Sequence, residues 1–140
     1  MVSTASSAKI KSKSKKARRQ KLVYFAHPMP TYNTLAEKSA MKILMQNFSD
    51  SKIINPRYID QTLESHEIMA VCLDYVKMSD YVVFISDEGV IGKGVYAEIK
   101  FAEKLGKKVY YLHMDSLHTN YKIKESDMDS WIEYAEVNII

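Results

Sequence analysis

Apolar residues fall along this chain in two rhythms. Short unbroken apolar runs mark strands, and apolar positions three and four apart mark helices. Leu22 to Ala26 is a compact apolar run and predicts a first strand. His27-Pro28-Met29-Pro30 ends it, because two prolines cannot continue a ladder. Thr34-Leu35-Ala36-Glu37 has capping-box spacing and predicts a helix reaching about Phe48. Lys52 to Asn55 predicts a short second strand, stopped by Pro56. Over residues 64–78, Ile68, Val71, Cys72 and Tyr75 stand at helical spacing. Asp80 to Ser86 is the third strand, and its continuous apolar stretch Tyr81 to Ile85 is the mark of a strand covered on both faces. A loop holding Gly89, Gly92 and Gly94 leads into a helix over 95–105, which Gly106 ends as a C-cap. Lys108 to Leu112 is the fourth strand. Ser126-Asp127-Met128-Asp129 can cap a last helix through Trp131, and Glu136 to Ile140 forms a final strand.

Strands alternating with helices in this order predict a doubly wound α/β fold. Its mostly parallel sheet of four to five strands carries helices on both faces, Rossmann- or flavodoxin-like. Ligands of such sheets bind beyond the carboxyl ends of the strands. That rule gathers three loops, Ala26 to Asn33, Asn55 to Thr62 and Ser86 to Gly94. The third leads into the helix that carries Glu98. Phe101, Ala102 and Leu105 follow Glu98 at i+3, i+4 and i+7, so this acid belongs to the face that packs inward. It is either a satisfied structural residue or a reactive group aimed into a pocket, charged and facing an empty cleft.

Length and composition then bound the picture. A chain of 140 residues with 46% hydrophobic and 26% charged residues suits one ordinary globular domain with one core. No apolar run approaches a membrane span, and the N-terminus lacks the apolar core of a secretory signal. The one cysteine, Cys72, allows no intrachain disulfide, which fits a reducing compartment, and the expected location is cytoplasmic. The histidines at 27, 66, 113 and 118 have no metal-ligand spacing, so neither a metal nor another cofactor is expected.

Charge divides the chain in two. Residues 1–21 hold eight Lys or Arg and no acid, whereas residues 22–140 hold 12 basic and 17 acidic side chains, a net of −5. The basic segment is Ser-, Ala- and Lys-rich and cannot bury enough surface to offset its ordering entropy, so it is read as a disordered tail ahead of a domain over 22–140. Such a tail solubilises, touches nucleic acid weakly, or serves as a nuclear address in a eukaryotic host.

Several segments, in order and spacing, resemble the nucleoside 2-deoxyribosyltransferase superfamily, which includes nucleotide N-hydrolases and small phage and bacterial proteins. They are Val23-Tyr24-Phe25-Ala26-His27-Pro28-Met29, Ile54-Asn55-Pro56, Asp74 ahead of Ser79-Asp80, the strand Tyr81 to Ile85, Gly92-Lys93-Gly94-Val95-Tyr96-Ala97-Glu98, and Ala102 to Val109. The resemblance covers roughly residues 22 to 112. It implies that Glu98 is the nucleophile at the sugar anomeric carbon, that Asp74 handles the departing base, and that the Tyr24 hydroxyl holds the nucleophile. A carboxylate beside C1′ would stabilise an oxocarbenium-like state and capture it as an ester. A nearby helix N-terminus would favour its ionised form.

The resemblance also locates departures. Family transferases carry a sugar-binding acid just before the catalytic Glu, where this chain has Gly92 and Lys93. Either Asp87 or Glu88 takes that role through a shifted loop, or the role is absent. Lys93 beside the amides around Gly92 and Gly94 suits a phosphate, which tilts the expectation toward a nucleotide substrate, with the sugar passed to another base or to water. His27 could contact that phosphate or the base, or be an ordinary turn histidine. Family transferases also borrow an Asn from a neighbouring subunit. Asn138 is the candidate here, and it implies a homo-oligomer. The expected partner is a small nucleoside or nucleotide; no membrane is expected. A non-catalytic nucleotide-binding module, tethered to nucleic acid by the tail, is the alternative.

Overall fold

The computed structural model describes residues 19–126 and the backbone of 136 and 137. Five strands make the main sheet: β1 (Lys21–Ala26), β2 (Ser51–Ile54), β3 (Tyr81–Phe84), β5 (Lys108–Met114) and β6 (Tyr121–Glu125). A two-residue strand, β4 (Val90–Ile91), pairs in parallel with β7 (Glu136–Val137) in a separate small sheet. The helices are α1 (Leu35–Asn47), α2 (Ser65–Met78) and α3 (Lys93–Lys104). Strand order in the main sheet is β2-β1-β3-β5-β6. The first four are parallel, and β6 runs antiparallel to β5. The chain leaves β1 toward β2 on one side and returns to β3 on the other. The switch between β1 and β3 therefore opens a crevice at their carboxyl ends.

The alternation of β1 explains the two layers. Tyr24 and Ala26 face one way, with Val82, Phe84 and Val109, and pack against Cys72 and Val76 of α2 and Val95, Ile99 and Ala102 of α3. Val23 and Phe25 face the other way, with Val83, Ile85 and Leu112, and pack against Ala40, Ile43 and Leu44 of α1. Each such side chain taken wholly out of water contributes about 1.5–3 kcal/mol. Register is fixed by this pattern: Tyr24 lies opposite Ile54 and Val82, because a slip by one residue would move every core side chain of β1 into the opposite layer.

Helix ends follow local chemistry. Thr34 caps α1, its hydroxyl accepting from the Glu37 amide. Glu64 and Glu67 form a capping box at α2. Gly106, at φ 74, ends α3 by letting Lys107 N–H reach the Ala102 carbonyl at 2.9 Å.

The doubly wound sheet with helices on both faces matches the expectation from sequence. Differences lie at its margins. α3 begins at Lys93, two residues earlier than expected. The chain joins the sheet before residue 22: Lys21 pairs with Ser51, and Arg19 bonds Asp80 at 2.8 Å. β6 was not expected; only Ile123 of its five residues packs inward, and the rest are exposed, as suits an edge strand. Residues 1–18, the expected helix through Trp131 and Asn138 lie outside the described residues. Among the described residues no helix is long and apolar enough to cross a membrane.

Candidate active site

Glu98 is the sixth residue of α3 and turns toward the sheet, 5% exposed. Its Oε2 accepts a 2.6 Å hydrogen bond from the hydroxyl of Tyr24, a fully buried residue of β1. The Cys72 thiol of α2 also acts to lower this carboxyl's pKa. None of the ion pairs among the described residues includes Glu98. Burial pushes the carboxyl up to about 7, and the Tyr24 hydroxyl and Cys72 thiol hold it from rising further. The same burial, with Glu98's charge, drives Tyr24 far above its ordinary value and Cys72 up to about 11. Tyr32, in the loop after β1, is raised by burial and then by Glu98's charge. A buried acid with hydrogen-bond donors and no cation is costly to ionise. Being in the second turn of α3, Glu98 also lies beyond the reach of the helix end, so the expected help from the N-terminus is corrected to a penalty from burial.

A second buried carboxylate organises the loops beside this one. Glu37 accepts from His27 Nε2 at 2.8 Å, the Asn33 amide at 2.8 Å, Asn55 Nδ2 at 3.3 Å and Arg57 Nε at 2.8 Å. It ties the loop after β1, the start of α1 and the turn after β2 together. Burial raises its pKa, but the bonds from His27, Asn33 and Asn55 outweigh that and leave it below the ordinary carboxylate value. His27 stacks on Phe25 with ring centres 3.9 Å apart, and its Nδ1 meets the Phe25 carbonyl at 3.0 Å. Both its partners are acceptors, so the bonds are complete only when both nitrogens carry hydrogen, while burial pushes the imidazole's pKa down.

The loop after β3 is a tight turn. Asp87 N–H reaches the Val90 carbonyl at 2.8 Å, and Glu88 and Gly89 between them take φ of 52° and 82°. The Gly89 amide donates to Ser86 Oγ, which meets the Tyr111 hydroxyl at 3.0 Å. Between this turn, the start of α1 and the end of β5 lies a cleft of about 640 Å³. Asp87, Glu88 and Asp115 line it, with Thr31, Ser86 and His113. No Lys or Arg lines it among the described residues, and neither does Glu98. Also among the described residues, no group of three or more His, Cys, Asp or Glu is placed to hold a metal ion.

The architecture has solved counterparts. A conserved protein from Enterococcus faecalis V583 aligns over 70% of this chain and 66% of its own, at 25% identity and a TM-score of 0.58. A 2-desoxiribosyltransferase from Leishmania mexicana aligns over 68% of this chain and 65% of its own, at 20% identity and a TM-score of 0.51. This chain shares its fold with both of these proteins. The chain thus spans about two thirds of the length of each of these two neighbours. No protein-family model and no curated protein matches it.

Within this fold, the residues singled out from sequence separate into groups. Tyr24 and Glu98 meet directly. Asp87 and Glu88 line the cleft. Asp74 does not join either group. It is exposed on the outer face of α2, about 200° around the helix from Cys72, and Cys72 is the α2 residue that meets Glu98. His27 has both ring nitrogens engaged within the protein, so it offers no polar atom to a phosphate or a base. Lys93 is exposed at the first position of α3 and outside the cleft. Gly92 is extended rather than left-handed, and Gly94 lies inside the helix, where a Cβ would come within 3.3 Å of Met69 Cε. Gly94 therefore serves the close approach of α3 to α2, while Gly92 and Lys93 form the helix start. Sequence reasoning did not single out Cys72, Tyr32 or the Glu37 cluster as parts of a site. The inward stripe of Ile68, Val71, Cys72 and Tyr75 was the available signal for the thiol.

Proposed function

We propose that this protein cleaves the N-glycosidic bond of an unphosphorylated nucleoside, with Glu98 as nucleophile and a second base or water as acceptor of the sugar. The observation that carries this reading is the buried Glu98 carboxylate, held by the Tyr24 hydroxyl at 2.6 Å and in no ion pair among the described residues. Such a group costs stability, and its perturbed pKa in the interior is the usual sign of a working carboxylate. In the reaction, a Glu98 oxygen bonds C1′ as the C1′–N bond breaks. The bond pair stays on the base nitrogen, which takes a proton from water. Water or a second base then attacks C1′, and the carboxylate is released.

The cleft favours a nucleoside over a nucleotide. Two of its carboxylates, Asp87 and Glu88, can accept hydrogen bonds from sugar hydroxyls or exocyclic amines, and with Asp115, already engaged by Thr119 and Asn120, they would repel a phosphate. Incubating the protein with deoxynucleosides and their 5′-monophosphates, and following free base by chromatography, tests both parts. Release from nucleosides that vanishes in Glu98→Ala supports the reading.

One observation favours a second reading, a nucleoside-binding module without turnover. Glu98 does not line the cleft, so catalysis requires a movement that opens a path to it. Saturable nucleoside binding by calorimetry, with no base released over long incubation, would select the second reading.

A further inference from the structure

On the opposite face of the sheet from Glu98, an open trough of about 530 Å³ runs along α1 beside the turn after β2. Three cations line it. Lys38 and Lys42 are exposed and four residues apart on α1, which places them on one side, about 6 Å apart along the axis. Arg57 faces them. Its Nε is fixed on Glu37 and its Nη2 donates to the Tyr58 hydroxyl at 2.7 Å, while its guanidinium sits 4.4 Å above the Tyr58 ring. Among the described residues Nη1 of Arg57 has no partner, so the fork presents a free edge in a fixed place. The one acid that lines the trough, Glu37, is already engaged by His27, Asn33, Asn55 and Arg57. Tyr58 is 73% exposed.

We propose that this trough binds single-stranded nucleic acid, with phosphates on Lys38, Lys42 and Arg57 and a base stacked on Tyr58. Clustered cations beside an exposed aromatic ring are what a sequence-tolerant single-strand site needs. The acidic total of residues 22–140 conceals the patch, because charge is summed there over both faces and the cleft. An extended strand suits the trough better than a mononucleotide. The lining runs from Lys38 in the first turn of α1 to Gln46 in the last, about 12 Å. α1 runs back along the parallel strands, so its Gln46 end points toward the start of β1, where Lys21 pairs with Ser51. Lys21 is exposed at that same end. The proposal is independent of the glycosidic reading, since none of its residues touches Glu98 or the cleft.

The test is fluorescence anisotropy of a labelled short oligo(dT) titrated with the full chain at several salt concentrations. The residues altered are exposed, so the variants keep the fold. Residues 1–21 are present throughout, so differences report the trough. In Lys38→Gln/Lys42→Gln, the slope of log affinity against log salt should fall by about 1.4, some 0.7 for each single-strand phosphate that is no longer neutralised. Tyr58→Ala should weaken binding about fivefold or more with the slope unchanged. Wild-type-like binding by both variants at every salt concentration overturns the proposal, as does a wild-type chain that fails to bind at low salt. Unlabelled dTMP that competes as well as the oligonucleotide also overturns it.

Discussion

Glu98 and Tyr24 meet at 2.6 Å across the interface between α3 and β1, with the tyrosine hydroxyl donating to a carboxylate that forms no ion pair among the described residues. The tyrosine is fully buried and the acid nearly so, so the bond is made where water cannot substitute for either group. Burial sets the pH behaviour of the site, and this bond moderates it. The carboxyl titrates at about 7, which makes the ionised nucleophile scarce in acid and dominant above neutrality. Base release at low substrate should therefore rise through about pH 7 and level off above it, and a pH–rate profile of kcat/KM checks this.

Tyr24→Phe removes a donor to the ionised form and leaves the ring's packing. Glu98 should then titrate above its present value, and the rising limb of the pH profile should move upward by about one unit or more. A profile that stays in place would mean the hydroxyl does not act on the carboxylate.

Stability should carry the same signature. The folded carboxyl, raised from 4.5 to about 7, binds protons more tightly than the unfolded one. Its contribution is full below about pH 4.5 and is lost as pH rises through about 7, a loss of about 3 kcal/mol. Glu98→Gln removes this dependence. Urea denaturation should show the variant more stable than wild type at pH 8, with the gap closing toward pH 5.

Glu37 has the opposite sign. Its folded pKa is lowered, so its contribution is present above the ordinary carboxylate range and is lost in acid. Glu37→Ala leaves the His27 and Arg57 partners without their carboxylate and should cost about 3–5 kcal/mol, read as a fall in the urea midpoint at constant m.

Sequence made the centre of this fold legible and left its margins dark. Val23 to Ala26 and Val82 to Phe84 are apolar without interruption because both faces of the sheet are covered, and that burial is written into consecutive residues. The inward turn of Glu98 follows from its spacing to Phe101, Ala102 and Leu105 on one helix. β6 was illegible because an edge strand needs few apolar residues, and Tyr121–Glu125 has mainly polar ones. The Glu37 cluster was illegible for another reason. Its partners, His27, Asn33, Asn55 and Arg57, come from separate loops that only the folded sheet brings together. Asp74 shows how motif matching can override periodicity. The helical phase that turns Cys72 inward turns Asp74 outward, whatever family position it matches.

The glycines of the third loop separate by backbone. Gly89 is left-handed at φ 82, so Gly89→Ala should destabilise by about 1–2 kcal/mol. Gly94 is helical, and the one atom near its added Cβ is the flexible end of Met69. Gly94→Ala should therefore shift stability by no more than about 1 kcal/mol, with helix propensity favouring alanine, and should leave nucleoside affinity unchanged. Thermal melts and calorimetry of both variants check the pair.

The central claim is that Glu98 attacks the anomeric carbon. Free base released from deoxynucleosides by the wild-type chain and by Glu98→Ala, each shown to be folded by circular dichroism, tests it most directly. The account predicts release by the wild type and a loss of about a thousandfold or more in the variant. Release that persists in the variant would contradict it.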